Sequence, residues 1–148
     1  MKLKSLFITA TLLFSSIALS HDDNWLDQQK APHGGQLRMA AQYHMELVLT
    51  EKGMDIYLTD HAFTEQKAEG GTAVVTVLAK QKASPLKLAA VGGNKLTGSG
   101  NYERSDDMQV VVVLNLPGQK PLQAKFQPLR KKASDSHDHG QHAGHDKT

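Results

Sequence analysis

The sequence predicts an all-β fold, a small antiparallel β-sandwich of about seven strands with an immunoglobulin-like arrangement. Three observations predict it. Apolar residues recur with a period of two along several runs, β-branched residues dominate two of these runs, and turns containing glycine or proline separate them at short intervals. No run has the 3.6-residue period of an amphipathic helix. The chain has no cysteine, which excludes the disulfide of a true immunoglobulin domain.

The first twenty residues predict a secretory signal peptide that is not part of the fold. Lys2 and Lys4 precede a short apolar run over 6–14, and small residues lead to a cleavage site after Ser20. We therefore expect a periplasmic protein whose mature chain begins at His21, with cleavage after Ala18 as the alternative. No later run is long enough for a membrane helix, so we expect no stable membrane insertion. Loss of the two lysines leaves 15 basic and 15 acidic residues, which gives no reason to expect nucleic acid as a partner.

The mature chain divides into a polar arm over 21–32, a β domain over 33–129 and a C-terminal segment over 130–148. The C-terminal segment contains no large apolar side chain, so nothing offsets the entropy lost on ordering, and we expect it to be disordered. Within the domain, we predict the main strands at 43–51, 54–62, 72–79 and 108–116. Shorter strand candidates cover 36–41, 85–91, 94–97 and 122–127.

The hairpin formed by the first two main strands decides which side chains share a face. Lys52-Gly53 predicts a two-residue turn. Pairing across that turn gives one apolar face, with Met45, Leu47, Leu49, Ile56 and Leu58. On the opposite face, His44 pairs with His61 and Glu46 with Thr59. A slip of one residue would mix the apolar and polar sets, so the hydrophobic pattern selects this register.

Histidines near this hairpin are candidate metal ligands. Paired residues on neighbouring strands have Cβ atoms ~4.5–5.5 Å apart, so His44 and His61 could share one ion, with Glu46 adding a carboxylate oxygen. The alternative is a solvated polar face on which two histidines happen to pair. His33 is interpreted either as a turn residue before Gly34-Gly35 or as a further ligand. Eleven residues separate it from His44, so we do not expect those two to share an ion within one hairpin.

The C-terminal segment is unusually rich in histidine. Four of the chain's eight histidines lie within nine residues: His137, His139, His142 and His145. Neutral imidazole is a good ligand for copper, zinc and nickel, and the neighbouring aspartates attract cations. We predict a metal-binding tail of modest affinity, with an inert solubilising tail as the alternative.

Short motifs of the domain resemble a known family. The strings His33-Gly34-Gly35, 43–48 (YHMELV) and 56–60 (IYLTD), with 94–100 (NKLTGSG) later in the chain, are similar to the N-terminal domain of periplasmic adaptor subunits of heavy-metal cation efflux systems. That domain also occurs as small exported proteins. The resemblance implies a small β-sandwich, handling of copper or zinc, and a cation efflux pump or its adaptor subunit as partner. The chain lacks the long helical hairpin of a full adaptor.

The sequence therefore predicts a periplasmic metal-binding protein that buffers or delivers divalent cations, copper or zinc, in a heavy-metal efflux or resistance system. The alternative is an interaction module that docks on a transporter or assembly partner, with incidental histidines. We expect no enzymatic activity. The sequence has no nucleophile elbow, phosphate-binding glycine loop or HExxH motif, and the lack of cysteine excludes thiol chemistry.

Overall fold

The computed structural model describes residues 23–131 of the 148-residue chain. Within this range the chain forms one short helix and eight strands. They are α1 (Asp23–Gln28), β1 (Gln36–Ala40), β2 (Tyr43–Leu49), β3 (Gly53–Thr59), β4 (Thr72–Ala79), β5 (Lys82–Gly92), β6 (Lys95–Ser99), β7 (Gln109–Asn115) and β8 (Leu122–Phe126). The predicted signal peptide and the histidine-rich part of the C-terminal segment lie outside the described residues.

All eight strands belong to one antiparallel sheet with the order β1-β2-β3-β6-β5-β4-β7-β8. The edge strands β1 and β8 come into contact, so the sheet curves almost into a closed barrel. The all-β antiparallel prediction is confirmed, but the arrangement differs in detail from two facing sheets. A twisted sheet with one continuous apolar face can bury that face by coiling until its own edges meet, and no second sheet is then needed.

The interior of the curved sheet is filled by alternate side chains of every strand. Strand β4 shows the pattern most clearly, because exposed and buried residues alternate along its whole length. Met45, which the hairpin analysis predicts on the apolar face, is fully buried, and so is Met54. The largest fully buried side chains are Phe126, Leu26, Met45, Leu47, Met54, Ile56, Leu58, Leu96, Met108, Leu114, Val75 and Val77.

The register of the β2–β3 hairpin corrects the sequence prediction. The Thr50 N–H donates to the Gly53 carbonyl oxygen at 3.0 Å, so the two-residue turn is Glu51-Lys52 and not Lys52-Gly53. Consequently His44 lies opposite Thr59 and not opposite His61. The shift is two residues, an even number, so the predicted division between the apolar and polar faces is retained.

The sequence predicts Gly53 as a turn residue, but glycine is required at this position because β3 approaches a neighbouring strand closely. Its φ is not positive, but a Cβ atom at this position would lie 1.9 Å from the carbonyl oxygen of Gly98 on the neighbouring strand β6. The Tyr102 hydroxyl also donates to the Gly53 carbonyl at 2.7 Å. Glycine here permits close approach of two backbones rather than a turn.

The short helix α1 was not expected in the polar arm. Its one buried residue is Leu26, and one buried apolar side chain in six residues gives no hydrophobic periodicity from which a helix could be predicted. The helix is held against β1 by Arg38, whose Nη1 lies 2.7 Å from Oδ1 of Asp27.

Two segments cover the outer face of β2 and β3, on the side away from the core. Residues 31–35 fold over Glu46, and residues 60–66 fold over His44. As a result both polar side chains are buried, with exposed fractions of 3% each, although they point away from the hydrophobic interior. Among the described residues there is no helix long and apolar enough to cross a membrane.

Candidate metal-binding site

The candidate site is built around the buried carboxylate of Glu46, in the middle of β2. Its Oε1 accepts hydrogen bonds from the backbone N–H groups of His33 at 2.8 Å and Gly35 at 2.9 Å. Gly34, between them, has a φ of 75°, in the left-handed region that glycine adopts without strain. The turn predicted at this double glycine is therefore present, and it brings two N–H groups to one oxygen.

The second carboxylate oxygen fixes the imidazole of His33. Nδ1 of His33 lies 2.8 Å from Oε2 of Glu46. An ionised carboxylate only accepts hydrogen bonds, so Nδ1 must carry the proton and donate it. In the neutral ring Nε2 is then the nitrogen with the free lone pair, which is the form that ligates a metal.

The ring of His33 is also held by stacking. It lies on the ring of Tyr57 with centroids 3.6 Å apart and an interplanar angle of 6°. The side chain of His33 is 34% exposed, and within residues 23–131 no group bonds to its Nε2. The ring is thus fixed in tautomer and orientation while one nitrogen stays available for a further partner.

An ion pair lies next to Tyr57 and extends the line of polar side chains that begins with Glu46 and His33; we call this line the polar row. Nζ of Lys95 lies 2.8 Å from Oδ2 of Asp55 and 5.4 Å from the centroid of the Tyr57 ring. Burial alone would raise the pKa of Asp55, but hydrogen bonds from Lys95 and Thr97 outweigh it and lower that pKa below its usual value. The hydrogen bond to Asp55 raises the pKa of Lys95. Because Lys95 offsets one of the two carboxylates, the row keeps one negative charge in excess when His33 is neutral.

His44 and His61 form a separate cluster, near the start of β2 and just beyond the end of β3. Their ring centroids are 5.4 Å apart with an interplanar angle of 14°, although the two residues are not a cross-strand pair. Phe63 packs on His44 with centroids 4.8 Å apart. An imidazole lone pair lies in the plane of its ring, so two stacked rings do not direct both nitrogens at one ion. Joint ligation by these two residues requires one ring to turn.

The loop that carries His61 is organised by Asp60. Oδ1 of Asp60 accepts hydrogen bonds from the N–H groups of Ala62 and Thr64, both at 2.9 Å. The hydrogen bond from the Thr64 backbone is the main reason that the pKa of Asp60 is lowered. The Asp60 carboxylate therefore holds the loop in its conformation by accepting hydrogen bonds from two backbone N–H groups.

The predicted site residues thus fall into three groups. His33 and Glu46 are in direct contact, whereas His44 and His61 contact each other. His137, His139, His142 and His145 lie outside the described residues. Between residues 23 and 131 no three histidine, aspartate or glutamate side chains are grouped so that they could hold an ion together.

The main residue of the candidate site that the sequence analysis missed is Tyr57, which stacks on His33. It lies directly opposite Glu46 on β3, and the predicted register placed it two residues away, opposite Val48. The sequence could have indicated Tyr57, since the predicted register and the observed register both put its side chain on the polar face. The contact between His33 and Glu46 had no comparable signal, because it depends on the path of the 31–35 segment over the sheet.

Comparison of the chain with protein-family models, with curated proteins and with solved structures finds no match. The similarity to adaptor subunits of cation efflux systems therefore rests on the sequence motifs alone.

Proposed function

We propose that the protein is an exported, periplasmic metal-binding protein that buffers or delivers divalent cations, copper or zinc, within a heavy-metal efflux or resistance system. The observation that carries this proposal is the arrangement of Glu46 and His33. Metal-ligating histidines almost always donate their second ring N–H to a carboxylate or carbonyl group, which fixes the tautomer and makes the other nitrogen more basic. The Nδ1–Oε2 contact of 2.8 Å has this form.

The surroundings of His33 support the same proposal. Stacking on Tyr57 removes rotamer freedom before any ligand arrives, so less entropy is lost on binding. The excess negative charge of the row formed by Glu46, Asp55 and Lys95 attracts a cation. Imidazole nitrogen without any thiolate suits Cu(II) or Zn(II) better than Mg²⁺ or Ca²⁺, which prefer oxygen ligands.

The test is a calorimetric titration of Zn(II) and Cu(II) into the exported chain and its variants. We expect binding that weakens at least tenfold in His33→Ala. The paired variant His44→Ala/His61→Ala is the matched control, because it removes two imidazoles from β2 and the 60–66 segment without touching His33 or Glu46. Loss of binding only in the control would move the site to the His44–His61 cluster. No binding by the unsubstituted chain would refute the function.

A second candidate function, an interaction module, is favoured by the outer face of β4. Val74 and Leu78 are 46% and 44% exposed there, and Lys87 is the cross-strand neighbour of Val74. An apolar patch bordered by lysine fits a partner with an acidic rim, such as a transporter subunit. A photo-crosslinking residue at position 74 tests this in cells. An adduct with a subunit of a cation efflux pump, lost in Leu78→Glu, would support docking, and the absence of any adduct would contradict it.

A further inference from the structure

One methionine of the domain lies outside the hydrophobic core. Met45, Met54 and Met108 are fully buried and belong to that core. Met39, in β1, is half-buried and is not among the core residues. Within residues 23–131 it is therefore the one methionine whose thioether does not fill the interior.

The pairing of β1 with β2 places Met39 beside His44. The two residues are direct cross-strand partners, so their side chains lie on the same face of the sheet. Their Cβ atoms are then ~4.5–5.5 Å apart, a separation that the flexible side chain of Met39 can span. That face is the outer one, because the next residue along β2, Met45, points into the core.

Two residues of the 60–66 segment complete the surroundings of His44. The ring of His61 stacks on the ring of His44 with centroids 5.4 Å apart, and Phe63 packs on the same ring at 4.8 Å. His44 is only 3% exposed, so the cluster is largely shielded from water. His61 is exposed, so its ring can turn about its side-chain bonds without disturbing the core.

The donor atoms of this cluster differ in kind from those at His33. A thioether is a soft ligand that selects Cu(I), whereas imidazole binds both copper and zinc. Cu(I) accepts few ligands, so one sulfur and two nitrogens in a shielded position suit it. The ionised carboxylate of Asp60 lies near enough to His61 to interact with it electrostatically, and it would offset part of the charge of a cation held there.

We propose that the domain carries a second metal site, for Cu(I), formed by Sδ of Met39 and by imidazole nitrogens of His44 and His61. Binding requires the ring of His61 to turn out of the stack, so that its in-plane lone pair faces the ion. This site goes beyond the proposed function, which rests on His33 and Glu46. Glu46 and His44 are two residues apart on one face of β2, which separates them by ~7 Å.

Competition for Cu(I) against the chelator bicinchoninate, under ascorbate and without oxygen, tests the site on the exported chain. X-ray absorption at one equivalent of copper detects sulfur bound to the metal. We expect a tight Cu(I) equivalent with one sulfur ligand. Met39→Leu, which conserves side-chain volume, should remove the sulfur ligand and weaken that equivalent by about tenfold or more. His61→Ala, at an exposed position where the fold tolerates change, should weaken it and keep the sulfur ligand.

Matched variants separate this site from the one at His33. His33→Ala should leave the sulfur ligand in place, and Met39→Leu should leave the Zn(II) titration unchanged. A sulfur ligand that persists in Met39→Leu, or none in the unsubstituted chain, would overturn the inference. An unchanged Cu(I) affinity in Met39→Leu or in His61→Ala would overturn it as well.

The outcomes also distinguish this inference from the proposed function. Binding of Zn(II) or Cu(II) that depends on His33, without a sulfur-bound Cu(I), would leave the proposed function standing and remove the second site. A Cu(I) equivalent that depends on Met39, in a chain that binds neither Zn(II) nor Cu(II), would keep the second site and refute the site at His33.

Discussion

Substitution of Glu46 by glutamine tests the link between the buried carboxylate and the ring of His33. Both backbone N–H donors go to the same oxygen, Oε1, which a glutamine carbonyl can replace in position and in acceptor character. The second oxygen, Oε2, becomes an NH₂ group that can only donate. It would face Nδ1 of His33, and the ring must then give up its Nδ1 proton and carry the proton on Nε2.

The expected cost in stability is moderate. Hydrogen bonds to a charged group contribute about 1.5–3 kcal/mol and neutral ones about 0.5–1.5 kcal/mol, so the exchange of three bonds would cost up to about 4.5 kcal/mol. A neutral amide is easier to bury than a carboxylate, which reduces this cost. We expect Glu46→Gln to lower the free energy of unfolding by about 1–2 kcal/mol. Glu46→Ala, which leaves two part-buried N–H donors without their carboxylate partner, should cost about 2–4 kcal/mol.

Glu46→Gln should also weaken metal binding, by more than its moderate loss of folding stability would suggest. Loss of the outer partner of a ligating histidine typically lowers metal affinity by about 10–100-fold, which corresponds to about 1.4–2.8 kcal/mol. The assays are urea unfolding for stability, Zn(II) titration for affinity, and ¹⁵N NMR of the imidazole for the tautomer. The reasoning is refuted if Glu46→Gln keeps the proton on Nδ1, or if Glu46→Ala costs less than 1 kcal/mol.

Three further predictions concern the fold. Because the pKa of Asp55 is lowered by its bond to Lys95, the pair stabilises the fold above the unfolded value of ~3.9, and this contribution is lost as pH falls through the folded pKa. Lys95→Ala should cost about 1 kcal/mol at neutral pH and flatten the acid dependence of stability, whereas Lys87→Ala, at an exposed position, should not. Gly53→Ala should cost about 1–3 kcal/mol, because its Cβ would lie 1.9 Å from a backbone oxygen of β6, and an unchanged melting temperature would contradict that close approach. Met45→Ala, at a fully buried position, should cost about 2–5 kcal/mol in urea unfolding, and a loss below 1 kcal/mol would mean that the cavity collapses.

The periodic parts of the sequence predicted the fold well. The alternation along β4 and the β-branched run of β7 led directly to strands at 72–79 and 108–116, and the structure has them at 72–79 and 109–115. Closure was not predictable in the same way. Whether one sheet coils or two sheets face each other depends on accumulated twist and on contact between β1 and β8, which are far apart in sequence.

The candidate site was predicted in part. The polar face was identified correctly for residues within β2 and β3, since a shift of two residues keeps the parity of a strand, but His61 lies in the loop beyond β3. The pairing of these residues was not predicted, because the sequence places the turn one residue too late, at Lys52-Gly53, whereas Gly53 belongs to β3 and contacts β6. His33 lies in a turn, in agreement with one of the two interpretations that the sequence allows. That the same residue also contacts Glu46 follows from long-range packing that no local pattern encodes.

The seam between β1 and β8 has a practical consequence for work on this protein. Asn24, near the start of the described chain, and Lys131, at its end, line the same cleft. A histidine introduced at position 24 or 131 would therefore line the cleft that Gly34 and Gly35 also line, directly after His33, and would compete with His33 in any titration of a metal ion. A circular permutant opened at Lys80-Gln81, the turn between β4 and β5, would move new termini to a hairpin on other strands and allow purification handles away from the site.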